Sequence, residues 1–201
     1  QDTDQVPNAE LGPYWKYWKK RYDKFINLSE SVEGEWLALP GRTKHEWPHS
    51  LRKKYMNVNY LEFMHDLAEV PFTIHQKFYS TTEEKNWAKQ QRDRMGEFVV
   101  VWSLAGSSVH KTWPYLDKII ARLMLHNPGI DVVLVGDYLC QLLEQGWENE
   151  VRVHKKSGKW TIRQSLAFLE QADMVIGPET GVLNAAAYLD VPKIITMSHS
   201  S

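Results

Sequence analysis

The sequence predicts an α/β protein whose carboxyl-terminal half is a parallel sheet covered by helices on both faces. Two observations carry this. Residues 98–102, 132–135, 174–176 and 193–197 are short apolar runs, the first of them rich in valine, and such runs suit strands buried on both sides. Between them lie helical patterns at 114–126, 138–145, 161–171 and 182–189. Strands alternating with amphipathic helices specify parallel order. A shorter, more polar strand fits residues 151–153.

The amino-terminal portion is less regular. Trp15, Trp18 and Tyr22 stand at helical spacing within residues 13–22 and lead into a short strand at 24–28. Pro, Gly, His and Arg residues between 40 and 52 give an irregular connection. Asn59 caps a helix over 60–69 that ends before Pro71. Ser80 and Glu83 have capping-box spacing for a helix over 82–95, closed by Gly96. The pattern changes between about residues 95 and 98. This divides the chain into a partial α/β amino-terminal domain, 1–95, and a Rossmann-like domain, 96–201.

Composition narrows the functional classes. Lys and Arg number 24 against 25 Asp and Glu, a net charge of −1, which makes no electrostatic case for nucleic acid or an anionic membrane. The single cysteine, Cys140, excludes an intramolecular disulfide framework and suits a reducing compartment. No apolar run approaches the roughly 18 residues of a membrane span, and the polar first ten residues lack a signal-peptide pattern. The expectation is a soluble cytoplasmic protein. Most of its nine tryptophans are expected to serve packing and surface aromatic patches. His45, His49 and His65 are too scattered to form a metal site, and none is expected.

In open α/β sheets ligands bind beyond the carboxyl ends of the strands, and three loops fall there. After residues 98–102 come Gly106, which lets backbone approach a ligand, the hydroxyls of Ser107 and Ser108, and the cation of Lys111. Pro114 suits the first position of the next helix. The alternative for this loop is an ordinary connection with a solvated lysine. After residues 174–176 the segment Glu179, Thr180, Gly181, Val182 and Asn184 opens a helix whose first N–H groups suit an anion. Glu179 suits sugar hydroxyls or, alternatively, the helix dipole. After residues 132–135 Asp137 suits a ribose diol, although an Asp there more often caps the following helix.

In order and spacing these loops resemble glycosyltransferase family 9, the ADP-heptose:lipopolysaccharide heptosyltransferases. Ser107, Ser108 and Lys111-Thr112-Trp113-Pro114 resemble the family's Lys-x-Trp-Pro segment. Residues 165–177 resemble its helix-Ala-Asp-strand-Gly run, and Glu179-Thr180-Gly181-Val182-Leu183-Asn184-Ala185-Ala186-Ala187 its Asp-Thr-Gly-x-x-His-x-Ala signature. Met197-Ser198-His199 falls at the next strand end. The similarity covers residues 97–201; before that, residues 22–28 resemble a Tyr-Asp-strand piece of the family's amino-terminal domain.

The resemblance implies a GT-B type carboxyl-terminal domain and a metal-independent, inverting transfer from a nucleotide-diphosphate sugar to a saccharide or glycolipid acceptor, as in lipopolysaccharide biosynthesis. Lys111 and Ser107 would hold the diphosphate, Thr180 and Gly181 would present N–H groups to it, and Asp137 would hold the ribose. Glu179 and Asn184 depart from the signature's Asp and His, which puts heptose in question as the donor sugar. The family's first strand, first glycine loop and general base would precede Gln1, and its closing helices would follow Ser201. Glu30 and Glu33 are the candidates to substitute for the base. A donor-binding module without a base is the alternative.

Overall fold

A computed structural model describes residues 6–28, 46–73, 77–106 and 109–197. The chain divides into two compact units, Gln1–Ile74 and His75–Ser201.

In the first unit the described residues form helices. α1 spans Leu11–Lys19, α2 His49–Met56 and α3 Tyr60–Ala68. Asn59 caps α3 as expected, its side chain accepting from the Leu61 N–H at 2.9 Å. Beyond α3, Glu69 takes a left-handed φ of 55° and its N–H closes back on the helix. The strand expected over 24–28 is not formed. Lys24 is drawn into an ion pair with Glu69, Phe25 packs on Trp15 with ring centroids 6.1 Å apart, and no described strand of this unit lies beside the segment to complete a ladder. α2 begins inside the stretch expected to be irregular, with Pro48 immediately before its first residue. None of the described residues of this unit is buried.

The second unit is built on one five-stranded, all-parallel sheet in the order β3-β2-β1-β4-β5. β1 is Phe98–Ser103, β2 Ile130–Val135, β3 Val153–Lys155, β4 Met174–Pro178 and β5 Lys193–Thr196. The helices are α4 (Thr82–Arg92), α5 (Leu116–His126), α6 (Ile162–Leu169) and α7 (Gly181–Ala186), with a 3₁₀ helix at Leu139–Glu144. Every residue of β2 is buried, as is all of β1 after Phe98. That is the cause of the unbroken valine-rich runs. Successive side chains point to opposite faces. Val99 and Val101 join Val133, Val135 and Val175 beneath Ala88 of α4, Phe168 and Leu169 of α6 and Leu183 and Ala186 of α7. Val100 and Trp102 join Val132, Leu134 and Ile176 beneath Leu116, Ile120 and Met124 of α5 and Cys140.

Several boundaries move for identifiable reasons. The capping box of α4 is Thr81 with Glu84, one residue beyond the expected Ser80 and Glu83, because Ser80 donates to Glu170 at 2.6 Å. β3 starts at Val153 rather than 151, since Glu150 holds Arg152 through both backbone and guanidinium bonds in a turn. Pro114 stands two residues before α5 instead of at its first position. The division between units falls at Ile74/His75, ahead of the 95–98 region read from the sequence. α4 belongs with the sheet: Glu84 pairs with Arg163 of α6 at 2.6 Å, Trp87 packs edge-on against Trp160, and Arg92 reaches Asp173 at 3.0 Å.

Asp173 joins α4, β1 and β4 at one carboxylate. Its Oδ2 accepts from the buried Val99 N–H at 2.7 Å and from Arg92 at 3.0 Å. Asp131, itself buried, accepts from the Gly96 N–H at 2.9 Å and contacts His154. Asp173→Ala strands the Val99 N–H without an acceptor, and is expected to cost about 2 kcal/mol. Urea unfolding followed by circular dichroism checks it, and an unchanged midpoint would refute the role.

Candidate functional site: a cleft at the strand crossover

β1 sits at the centre of the sheet. The chain leaves it toward β2 on one side and later returns to β4 on the other. Loops from neighbouring strands therefore diverge at the carboxyl ends of β1 and β4, and a crevice opens there. A cleft of about 520 Å³ occupies this position. Its wall includes Ser103, Ala105 and Gly106 after β1, Gly136 and Asp137 after β2, Gly158, Trp160 and Ile162 after β3, and Glu179 to Val182 after β4.

The two sides meet through side chains of opposite loops. Thr180 caps α7, its Oγ1 accepting from the Leu183 N–H at 3.4 Å, and the same oxygen lies 3.1 Å from Ser103 Oγ. Gly177 makes this approach possible. A Cβ there would lie 2.8 Å from both the Cβ and the carbonyl oxygen of Ser103, closer than packed atoms allow. Lys111 also joins the loop after β1 to the loop after β4. Its Nζ donates to the Glu179 carbonyl at 3.2 Å and lies 4.0 Å from the Glu179 carboxylate. Gly106 gives the lysine stem room, since a Cβ there would meet Lys111 Cδ at 2.5 Å.

Among the residues expected from the sequence, Gly106, Asp137, Glu179, Thr180, Gly181 and Val182 line the cleft. Lys111 adjoins it through Glu179, and Asn184 stands exposed on α7 outside the lining. Ser107, Ser108, Glu30, Glu33 and His199 lie outside the described residues. Asp137 acts as a cap: its Oδ1 accepts from the Cys140 N–H at 3.1 Å, the commoner role for an Asp there.

The sequence reading missed the wall formed after β3. Ser157 is wholly buried, and its backbone is held from both sides: its N–H donates to the buried Glu144 carboxylate at 2.8 Å, and its carbonyl accepts from Gln141 at 2.9 Å. This grip fixes Gly158 and Trp160 at the cleft. The Trp160 ring packs on Trp87 and Phe168 with centroids 4.9 Å away in each case. Lys156 extends over that ring, its Nζ 5.4 Å from the centroid, and burial holds its ammonium below the usual lysine range. The signal available in the sequence was the Gly158-Lys159-Trp160-Thr161 turn before a capped helix. Thr161 and Gln164 do form a capping box. Among the described residues no group of three or more His, Cys, Asp or Glu side chains converges as metal ligands would, and no helix is long and apolar enough to cross a membrane.

These features define a Rossmann-like domain with a crossover cleft, and solved structures share the fold. The ADP-heptose LPS heptosyltransferase II of E. coli matches with 16% identity and a TM-score of 0.51, over 64% of this chain and 42% of that one. The glycosyl transferase family 9 protein of Veillonella parvula DSM 2008 matches with 14% identity and a TM-score of 0.59, over 76% of this chain and 50% of that one. The likeness shows a glycosyltransferase-type, GT-B-like fold, and the chain spans half or less of the length of these structures. No protein-family model and no curated protein matches the sequence.

Two outcomes follow from the packing beneath the cleft. Gly177→Ala is expected to lower stability by about 2 kcal/mol through overpacking; a thermal melt equal to wild type would show that Ser103 yields freely. Cys140 lies under Gly136, and burial, helped by the hydrogen-bonded Asp137, pushes its thiol up to about 11. At pH 8 only about one thiol in a thousand is then thiolate. Native protein should resist iodoacetamide and react once unfolded, and rapid native labelling would contradict this.

Proposed function

We propose that the cleft binds the nucleotide-diphosphate part of a sugar donor, and that the chain contributes to inverting transfer of that sugar onto a saccharide or glycolipid acceptor. The observation that carries the reading is the convergence of the ends of β1, β2 and β4 with the β3–α6 loop around one cavity at the sheet crossover. The fold shared with a heptosyltransferase and a family 9 glycosyltransferase supports it. An acceptor in lipopolysaccharide assembly and a cytoplasmic location belong to the same reading.

The chemistry asked of the site is charge stabilisation. As an acceptor hydroxyl attacks the anomeric carbon from the opposite face, the bond to the diphosphate oxygen breaks and negative charge grows on the leaving group. The acceptor proton passes to a base. Donors near the forming charge are the Gly181 and Val182 N–H groups opening α7, the Ser103 and Thr180 hydroxyls, and Lys111, which exchanges its Glu179 carbonyl for a phosphate oxygen. No metal is required, because amides and an ammonium supply the positive charge. Glu179, on the same rim, suits the sugar hydroxyls. The nucleoside would lie toward Asp137 and the wall of Gly158 and Trp160.

One observation favours a second reading, a donor-binding module without turnover. Among the described residues, both carboxylates lining the cleft are engaged, Asp137 on the Cys140 N–H and Glu179 with Lys111. Neither stands ready as a base.

Calorimetry with ADP, GDP and UDP tests the binding claim. At least one should bind, and Lys111→Ala should weaken it about tenfold or more, the loss of one charge-assisted hydrogen bond. If none binds, or if the variant binds as wild type does, the diphosphate site is refuted. Sugar transfer from the bound donor to an acceptor separates enzyme from module.

A further inference from the structure

A net charge of −1 hides a strong segregation. Residues 11–24 hold Lys16, Lys19, Lys20, Arg21 and Lys24 against the single acid Asp23, an excess of four positive charges in sequence, of which Lys24 is paired with Glu69 in the structure. The same stretch holds Tyr14, Trp15, Tyr17, Trp18 and Tyr22. In the structure Lys16, Lys19, Lys20 and Arg21 are all exposed, as are Tyr17 at 51% and Tyr22 at 59%, while Tyr14, Trp15 and Trp18 are half-buried. α1 has no buried residue. The rings also order one another: Trp18 stacks on Tyr22 with centroids 6.2 Å apart, and Tyr14 meets Trp15 edge-on at 4.9 Å.

We propose that α1 and the turn following it, residues 11–24, form a docking surface for a bilayer that carries anionic phospholipids. A short helix rich in both Lys and Trp/Tyr is suited to the interfacial layer. The exposed Tyr17 and Tyr22 rings sit at headgroup depth, where one edge is apolar and the other wet. The lysine stems lie along the boundary and their ammonium groups reach the phosphates. Charge complementarity selects an anionic surface over a neutral one. Nucleic acid is the less suited polyanion. The one arginine of the patch is occupied within α1, its guanidinium 3.3 Å over the Tyr17 ring and bonded to the Tyr17 carbonyl at 3.2 Å. One of its donors is thereby used, and the lysines that dominate the patch act as point charges. The proposal concerns the first unit alone and stands independently of the cleft reading.

The test is flotation of the full chain with vesicles of phosphatidylcholine alone and of phosphatidylcholine mixed equally with phosphatidylglycerol. Binding is expected to the mixed vesicles, lost in high salt and weak on the neutral ones. Each basic residue near an anionic surface contributes about fivefold, so K16E/K19E/K20E should weaken partitioning by about a hundredfold or more. K85E/K89E/K118E makes the same change of net charge on exposed residues of the second unit and should bind like wild type. Circular dichroism establishes that both variants keep the fold; if the α1 variant does not, Tyr17→Ala with Tyr22→Ala should still reduce binding. No binding to mixed vesicles, equal binding to neutral vesicles, equal loss in the second-unit variant, or selective binding to duplex DNA over the mixed vesicles would each overturn the proposal.

Discussion

The cleft depends on the pairing of β1 with β4. These strands are adjacent, in register from Val100–Met174 to Trp102–Ile176, yet far apart in the chain. Their adjacency brings the Ser103 hydroxyl beside that of Thr180 and lets Lys111 span to the Glu179 carbonyl. The pairing is secured at both ends by different means. At the amino ends Asp173 collects the Val99 N–H and Arg92. At the carboxyl ends the absence of a side chain at Gly177 lets the backbones close on Ser103. A polar clamp and a steric allowance thus bracket three residue pairs, and the loops that form the site inherit their positions from them.

A second theme is the use of carboxylates to hold backbone. Asp131 takes the Gly96 N–H, Asp137 the Cys140 N–H and Glu144 the Ser157 N–H. A buried N–H without an acceptor is costly, and a charged acceptor is among the stronger ways to satisfy one. In each case the amide lies where the chain leaves or enters the sheet and strand ladders cannot serve it. The domain therefore places acidic groups at turns for structural reasons. A carboxylate near the cleft is by itself poor evidence of a catalytic base.

The sheet was legible because burial on both faces leaves a pattern that survives in composition: residues 98–102 and 132–135 are apolar without a break, and they read as strands at once. Cap chemistry was nearly as legible at Asn59, but at α4 Ser80 and Thr81 compete, and only the pull of Glu170 on Ser80 decides between them. The segment 24–28 reads as a short strand, but a strand is a relation between two segments and sequence shows only one. The cleft was half legible. Its β1, β2 and β4 loops carry small residues and hydroxyls that announce close approach, whereas the wall at Gly158 and Trp160 is fixed by Glu144 and Gln141 from a different element. Asp137 showed the limit of residue type, since one carboxylate at a strand end suits a ribose and a helix cap equally in the abstract.

The outer strand β5 is the less guarded border of the sheet. Among the described residues it ends the sheet order, and Ile194 and Ile195, pointing to opposite faces, are each about half exposed. Natural edges are commonly guarded by an outward lysine. Here the neighbouring Lys193 is turned inward, its ammonium donating to the carbonyls of Leu189 and Val191. The opposite edge, β3, has only three residues and includes Lys155, which is tied to Glu148. Among the described residues the two borders are thus unlike: β3 is short and charged, while β5 carries two half-exposed isoleucines and no outward lysine.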